Sequence, residues 1–423
     1  MTEATDPLRI EYGSEQDGLR VVRQSPPIGA ASFSATYIGP AGWGFDPRGR
    51  EGVARLVNQL VTSAAGRYGR VELARLLDRS GATLARQCDP ESAEVTIWGP
   101  AAEWEPLLGI LADVVLRPRF DPSDVARARR QMRERQLREA TQPANRAERE
   151  LLHAIYPSGH PYRETGLGSR HSLLRLGRSD LERFHRVHYT RRGACLIVTA
   201  PARLPSVERA IRSRFDGFAE SDGPALTLPP PSPSRTCERL VNLPGRSQVE
   251  VRVGGASIAR SAPEYPAAFL ANEILGARPL LSRLFQRVRE KGGLAYHASS
   301  DLEAMQLGGY WVAQAGTGAD RWRRVVPMLQ EEVDRLSADR VRPAELEATR
   351  KSVIGEIPLT LESTSEAHEL AVDVAYHRLP GDFWITWPER LRSIRPKDVR
   401  DAAAVAFDRR SSVTVVSGPI GAH

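Results

Sequence analysis

PLLGILADVVLRPRFDPSDVARARRQM (106–132) and PMLQEEVDRLSADRVRPAELEATRKSV (327–353) lie 221 residues apart and decide the fold. Set one above the other without a gap, Pro106, Leu108, Asp113, Pro122 and Arg129 fall on Pro327, Leu329, Asp334, Pro343 and Arg350. Each segment reads as an amphipathic helix, a short connection with proline near the start of the next helix, and then a charged helix. Further on, SDLERFHRVHYTRRGACLIVTAP (179–201) matches PKDVRDAAAVAFDRRSSVTVVSGP (396–419) in pattern: a helix ending near paired arginines, then an apolar strand. Amphipathic helices can align by chance, but recurrence in the same order at near-constant spacing points to an internal duplication.

Outward from these segments, ASFSATYIG (31–39) and QVEVRVGGASI (248–258) alternate as half-buried strands, while VARLVNQLVTSA (53–64) and PAAFLANEILG (266–276) carry helical apolar spacing. Each half therefore runs strand, helix, strands, helix, helix, strand. That order predicts an α+β class with two homologous domains, each a mostly antiparallel sheet with helices packed mainly on one face. The boundary falls in SDGPALTLPPPSPSR (221–235), where Pro224, Pro229, Pro230, Pro231 and Pro233 favour extended geometry. The expected domains are 1–220 and 236–423, with 221–235 as the linker.

At 423 residues the chain is too long for one comfortable core, and 41% hydrophobic with 26% charged residues is globular composition. No apolar run is long enough to span a membrane, and MTEATDPLRIEYGSEQDG at the start has neither a basic nor an apolar export region. Three widely spaced cysteines without C-x-x-C spacing fit a reducing compartment, so a cytoplasmic location is expected. The net charge of +7 comes from 56 arginines and only three lysines. They are interleaved with carboxylates, as in RRQMRERQLRE (129–139), a solvated helix face rather than a nucleic-acid surface.

LLSRLFQRVREKGGLAYHASS (280–300) is the most specific stretch. Its Ser-Arg-Leu-Phe, Arg-Glu-Lys and Gly-Leu-Ala-Tyr resemble the second-domain signature of the pitrilysin/insulinase metallopeptidases, which include the mitochondrial processing peptidases. The resemblance extends over roughly 28–420, through EGVARLVNQL and HPYRETGLGSRHSLLRL (160–176), and implies two domains arranged as a half-clamshell. Active members carry H-x-x-E-H on the first long helix, two histidines binding zinc and a glutamate acting as base. The matching positions here are Arg55, Asn58 and Gln59. A guanidinium has no lone pair to offer a metal, and an amide cannot take a proton as a general base. The further ligand should fall near 133–136, where only Glu134 is a carboxylate. His185 and His188, three apart with Glu182 nearby, could ligate zinc; the matching segment 399–408 has no histidine, which favours a structural or surface role. No metal site and no catalytic residue is expected in this chain.

The signature's Arg and Tyr, which hold the peptide backbone in the family, map by motif onto Arg289 and Tyr296. Taken alone, these two would read as a local ion pair with Glu290 or Asp301 and a packed ring. With the motif intact, the resemblance implies a non-catalytic, substrate-binding subunit of a heterodimeric zinc metallopeptidase. Zinc is then expected in a partner, a homologous H-x-x-E-H chain, and the substrate is an extended or unfolded peptide. The alternative is a purely structural scaffold derived from a peptidase.

Overall fold

The computed structural model describes residues 6–13, 15, 18–219, 226, 228–231 and 236–420. Much of the expected linker, Pro224 and Pro233 included, lies outside the described residues. Two compact units form, and neither is a continuous stretch. The first comprises residues 1–135, 165–227 and 356–386, the second 136–164, 228–355 and 387–423. They depart from the expected continuous domains because one helix from each half of the sequence packs on the sheet built by the other half.

The first unit is built on a six-stranded sheet of β1 (Ile10–Tyr12), β2 (Arg20–Gln24), β3 (Ser32–Gly39), β4 (Thr83–Cys88), β5 (Ala93–Pro100) and β6 (Cys195–Thr199), in the order β1-β2-β6-β3-β5-β4. The second has β7 (Cys237–Asn242), β8 (Val249–Ser257), β9 (Ala295–Ala304), β10 (Gly309–Thr317) and β11 (Val413–Gly418), in the order β7-β11-β8-β10-β9. Apart from β1, the two orders correspond strand for strand. Each sheet has one parallel pair, β2 with β6 and β7 with β11, and is otherwise antiparallel.

The two aligned segments form the helices Trp104–Leu116 and Pro122–Thr141 in one half and Trp322–Ala338 and Pro343–Thr360 in the other. Pro122 and Pro343 are first residues, where a missing N–H costs nothing. In the first unit Phe33, Ala35 and Tyr37 of β3 point into an apolar core with Val95, Ile97, Leu196 and Val198. Helices Val53–Val61, Trp104–Leu116, Arg178–His188 and Leu204–Arg214 contribute to the same core, each large apolar side chain giving roughly 1.5–3 kcal/mol on burial.

The alternation in β3 predicts a solvated second face, yet the strand is buried almost throughout. Helix Thr364–Tyr376 covers that face, seating His368 between Thr36 and Thr199. In the second unit helix Pro143–Ile155 does the same, with Leu151, Leu152 and Ile155 packed with Val312, Val413 and Val415. Gly254 of β8 makes room for it: an added Cβ would meet Leu151 Cδ2 at 3.1 Å and the Trp311 carbonyl oxygen at 2.4 Å.

Candidate functional site

Helix Val53–Val61 carries the degenerate motif. Its start is fixed by Asp46, whose carboxylate accepts the N–H groups of Gly52 (2.6 Å) and Ala54 (2.9 Å). Gly52 at φ 95° supplies a left-handed turn that a side chain would resist. Burial pushes the Asp46 carboxyl up to about 7 against the pull of those two N–H groups. Arg55 leaves the helix one turn later and lays its guanidinium over the Trp43 ring at 4.3 Å. Asn58 is buried and donates its amide to the Glu94 carbonyl at 3.0 Å. Gln59 donates to Gln131 Oε1 at 2.7 Å.

These contacts define what the place can do. A metal would meet a stacked cation, an amide already committed as a donor, and a pair of neutral amides, so the donor set does not fit zinc. Among the described residues no three His, Cys, Asp or Glu side chains gather as metal ligands. The downstream helix meets Gln59 through Gln131, about one turn before the expected 133–136, and Glu134 is exposed. The one-turn difference follows from helical geometry, since residues three or four apart share a face.

His185 and His188 are structural. His185 Nε2 bonds the Val115 carbonyl oxygen at 2.7 Å, so that nitrogen must carry its proton. His188 is buried against Phe45 and Phe184. Burial pushes both rings down to about 4.

In the second unit the signature folds into a π-helical turn, Phe285–Glu290, followed by edge strand β9. The turn is anchored from both sides. Arg283 makes two 2.8 Å bonds to the Glu345 carboxylate, and Arg287 reaches Glu332 at 2.7 Å and also Glu331. Leu284, Phe285 and Val288 are buried. Gly293, at φ 58°, lets its N–H return to the Arg289 carbonyl (3.0 Å) and Leu294 N–H to Val288 (3.1 Å), which launches β9.

Arg289 and Tyr296 both come out of this frame exposed. Arg289 touches the Phe285 ring at 5.1 Å, and among the described residues it has no carboxylate partner. Asp301, one of the partners weighed for it, instead accepts from Gln314 at 2.8 Å. Tyr296 is 62% exposed, so it is not a packed core ring. Its position is set by a bulge: Gly316 pairs with His297 and Thr317 with Ala295, leaving Tyr296 as the extra residue of β9. Bulges on edge strands redirect a side chain and break the regular pairing. The structure therefore holds two hydrogen-bond donors rigid at their bases and free at their tips.

The sequence reading missed three neighbours. His297 follows Tyr296 and places Nε2 3.5 Å from Glu250 Oε1, and Gly316 lies beneath its ring. Glu250 is only 5% exposed, a buried carboxylate on β8. Alternation on β8 and β9 contains this pairing, but only the register between them brings it together.

Two family descriptions match the chain, Insulinase (Peptidase family M16) over residues 20–168 and Peptidase M16 inactive domain over 175–353. A Streptomyces coelicolor protein named an uncharacterized zinc protease is 29% identical over 270 residues, 60% of this chain and 56% of that protein. This chain thus spans little more than half the length of that relative. The Bacillus subtilis protein YmxG, named in the same way, is 23% identical over 83% of this chain and 84% of its own. Among solved structures, a peptidase M16 inactive domain from Pseudomonas fluorescens superimposes with a TM-score of 0.91 at 21% identity, covering 98% of this chain and 99% of that one. A Helicobacter pylori protease gives 0.88 at 18% identity, covering 96% and 99%. At these identities the two structures speak for the fold.

Proposed function

We propose, since the chain belongs to peptidase family M16 and lacks its H-x-x-E-H residues, that it is the non-catalytic, substrate-binding subunit of a heterodimeric zinc metallopeptidase. In this reading a homologous chain brings the zinc, and Arg289 and Tyr296 act in trans by donating hydrogen bonds to the carbonyls of an extended peptide. The observation that carries it is the contrast between the two places. Arg55, Asn58 and Gln59 are tied up in contacts that oppose metal, whereas Arg289 and Tyr296 are exposed and uncommitted.

Physical chemistry supports the assignment of roles. A guanidinium and a phenol both donate, and an oxyanion developing at a scissile carbonyl is stabilised by preorganised donors. Strand β9 is an edge strand, so its outer side offers backbone groups to a peptide added as a further strand. Correspondence of strand order between the two sheets supports an origin by internal duplication. Among the described residues no helix is long and apolar enough to cross a membrane.

The test is reconstitution with the H-x-x-E-H homologue that co-purifies from the native host. Tyr296→Phe removes one hydroxyl from an exposed ring and should lower turnover by roughly a hundredfold, with assembly and partner zinc unchanged. Arg289→Ala should do the same. Near-wild-type turnover in both variants would leave the chain as a scaffold derived from a peptidase.

A further inference from the structure

Beside Arg289 and Tyr296, one face of the second sheet gathers charge in a way the peptide-backbone role does not use. Ser417, Glu250, Gly316 and His297 form a row across β11, β8, β10 and β9. Gly316 has no side chain, and the His297 ring occupies the space one would need. An ideal Cβ at 316 would lie 2.4 Å from His297 Cε1 and 2.6 Å from Nδ1. The ring is thus held from below by backbone and from the side by Glu250, while its side chain stays half exposed.

The surrounding charges are spread unevenly around the ring. Glu250 lies 3.5 Å from His297 and 3.9 Å from Arg252, and Arg252 also reaches Glu148 at 3.7 Å. Facing the ring from β8 are therefore Glu250 and Arg252; β10 contributes only Gly316; and the π-helical turn contributes Arg289, whose charge acts on His297. Bonding to Glu250 favours the protonated ring and raises its pKa. With His297 protonated, Arg252, His297 and Arg289 stand against the carboxylates Glu250, Glu148 and Asp301, Arg252 being the cation whose charge acts on Glu148 and Asp301 as well as on Glu250. The charges are unevenly placed: beside the ring, on the exposed side, Arg289 has no carboxylate partner among the described residues.

We propose that His297 is a specificity-determining residue of the same substrate surface, favouring peptides that place a carboxylate, from an Asp or Glu side chain or from a C-terminus, against its ring and the Arg289 guanidinium. This rests on the reading that the surface binds peptide. Glu250 and Gly316 act as positioning residues, one fixing the ring's charge and the other its height above the sheet. A peptide carboxylate then gives the Arg289 guanidinium and the protonated ring a partner on their exposed side.

Fluorescence anisotropy with three labelled extended decapeptides tests it on the full chain. One is neutral with an amidated end, one carries a central Glu and an amidated end, and one is neutral with a free C-terminal carboxylate. At pH 6 at least one carboxylate peptide should bind about fivefold to tenfold tighter than the neutral one, and which one does so identifies the source. His297→Gln should bring that ratio to about one. Gly316→Ala, which displaces the ring without removing it, should lower the ratio too. The preference should also fade as pH rises and the ring loses its proton. Equal binding of all three peptides by the wild type, or a preference retained in His297→Gln, overturns the proposal while the neutral peptide's binding keeps the substrate-surface reading alive. Failure of every peptide to bind sinks both.

Discussion

Replacing His368 by Gln should uncouple the protein's stability from acid in a measurable way. The ring sits on helix Thr364–Tyr376, 2% exposed, with Nε2 2.8 Å from Thr36 Oγ1 and Nδ1 2.7 Å from Thr199 Oγ1. The network continues through Thr96 to Glu94 on one side and through Gln24 to the Ala367 carbonyl on the other. Burial pushes the ring from its ordinary value of 6.5 down to about 3. The native protein therefore holds the ring neutral, whereas the unfolded chain takes up a proton as pH falls below 6.5. Stability from this residue is whole above pH 6.5, is lost as pH falls, and stops falling near pH 3, where the native ring also protonates.

At about 1.36 kcal/mol per pH unit, the loss at pH 5.0 amounts to about 2 kcal/mol, against almost nothing at pH 7.5. His368→Gln should cost about 2–4 kcal/mol at pH 7.5, through an imperfectly filled site and weakened hydroxyl partners. That gap should shrink by about 2 kcal/mol at pH 5.0. Urea unfolding of both proteins at the two pH values measures it. Comparing the two proteins cancels groups common to both, including His185, His188 and the raised Asp46, which would otherwise confuse a single pH profile. A gap that is the same at both pH values would refute the placement of a neutral ring in that network.

Other outcomes follow from the same geometry. Restoring Arg55→His, Asn58→Glu and Gln59→His should leave zinc content, measured by plasma mass spectrometry, well below one per chain; adding Gln131→Glu should raise it, because Gln131 is the residue that meets Gln59. Asp46→Ala removes the acceptor for two N–H groups at the start of helix Val53–Val61 and should cost about 1–2 kcal/mol in urea unfolding. Gly254→Val drives a side chain into Leu151 and the Trp311 backbone and should cost about 1–3 kcal/mol, with loss of hydrogen-exchange protection in helix Pro143–Ile155.

The signature segment was legible as chemistry because its residue types are unusual together, and its local frame follows from the sequence order of Arg283, Arg287 and Gly293. What Arg289 and Tyr296 do at its surface was not. Whether an arginine pairs with a neighbouring carboxylate or stays free depends on which partners other elements have already engaged, and here Gln314 holds Asp301. The bulge at Tyr296 is likewise a matter of register between strands, invisible in β9 alone. The pairing of His297 with Glu250 was out of reach for the same reason, since Glu250 is 47 residues away in sequence and reaches it only across β10.

By itself the sequence determined the class of fold, the repeated order of elements and the loss of the metal motif. Those depend on local periodicity and on the chemistry of single side chains, which a chain carries wherever it folds. Tertiary structure alone decided which helix covers which sheet. Helices Pro143–Ile155 and Thr364–Tyr376 have the same kind of apolar spacing as their neighbours, and nothing in that spacing says which sheet will receive them. The second face of each sheet supplies the answer. Gly254 opens space for Leu151, and Thr36 and Thr199 offer hydroxyls to His368, so each helix is matched by complementary shape or hydrogen bonding that exists only once the strands are in register.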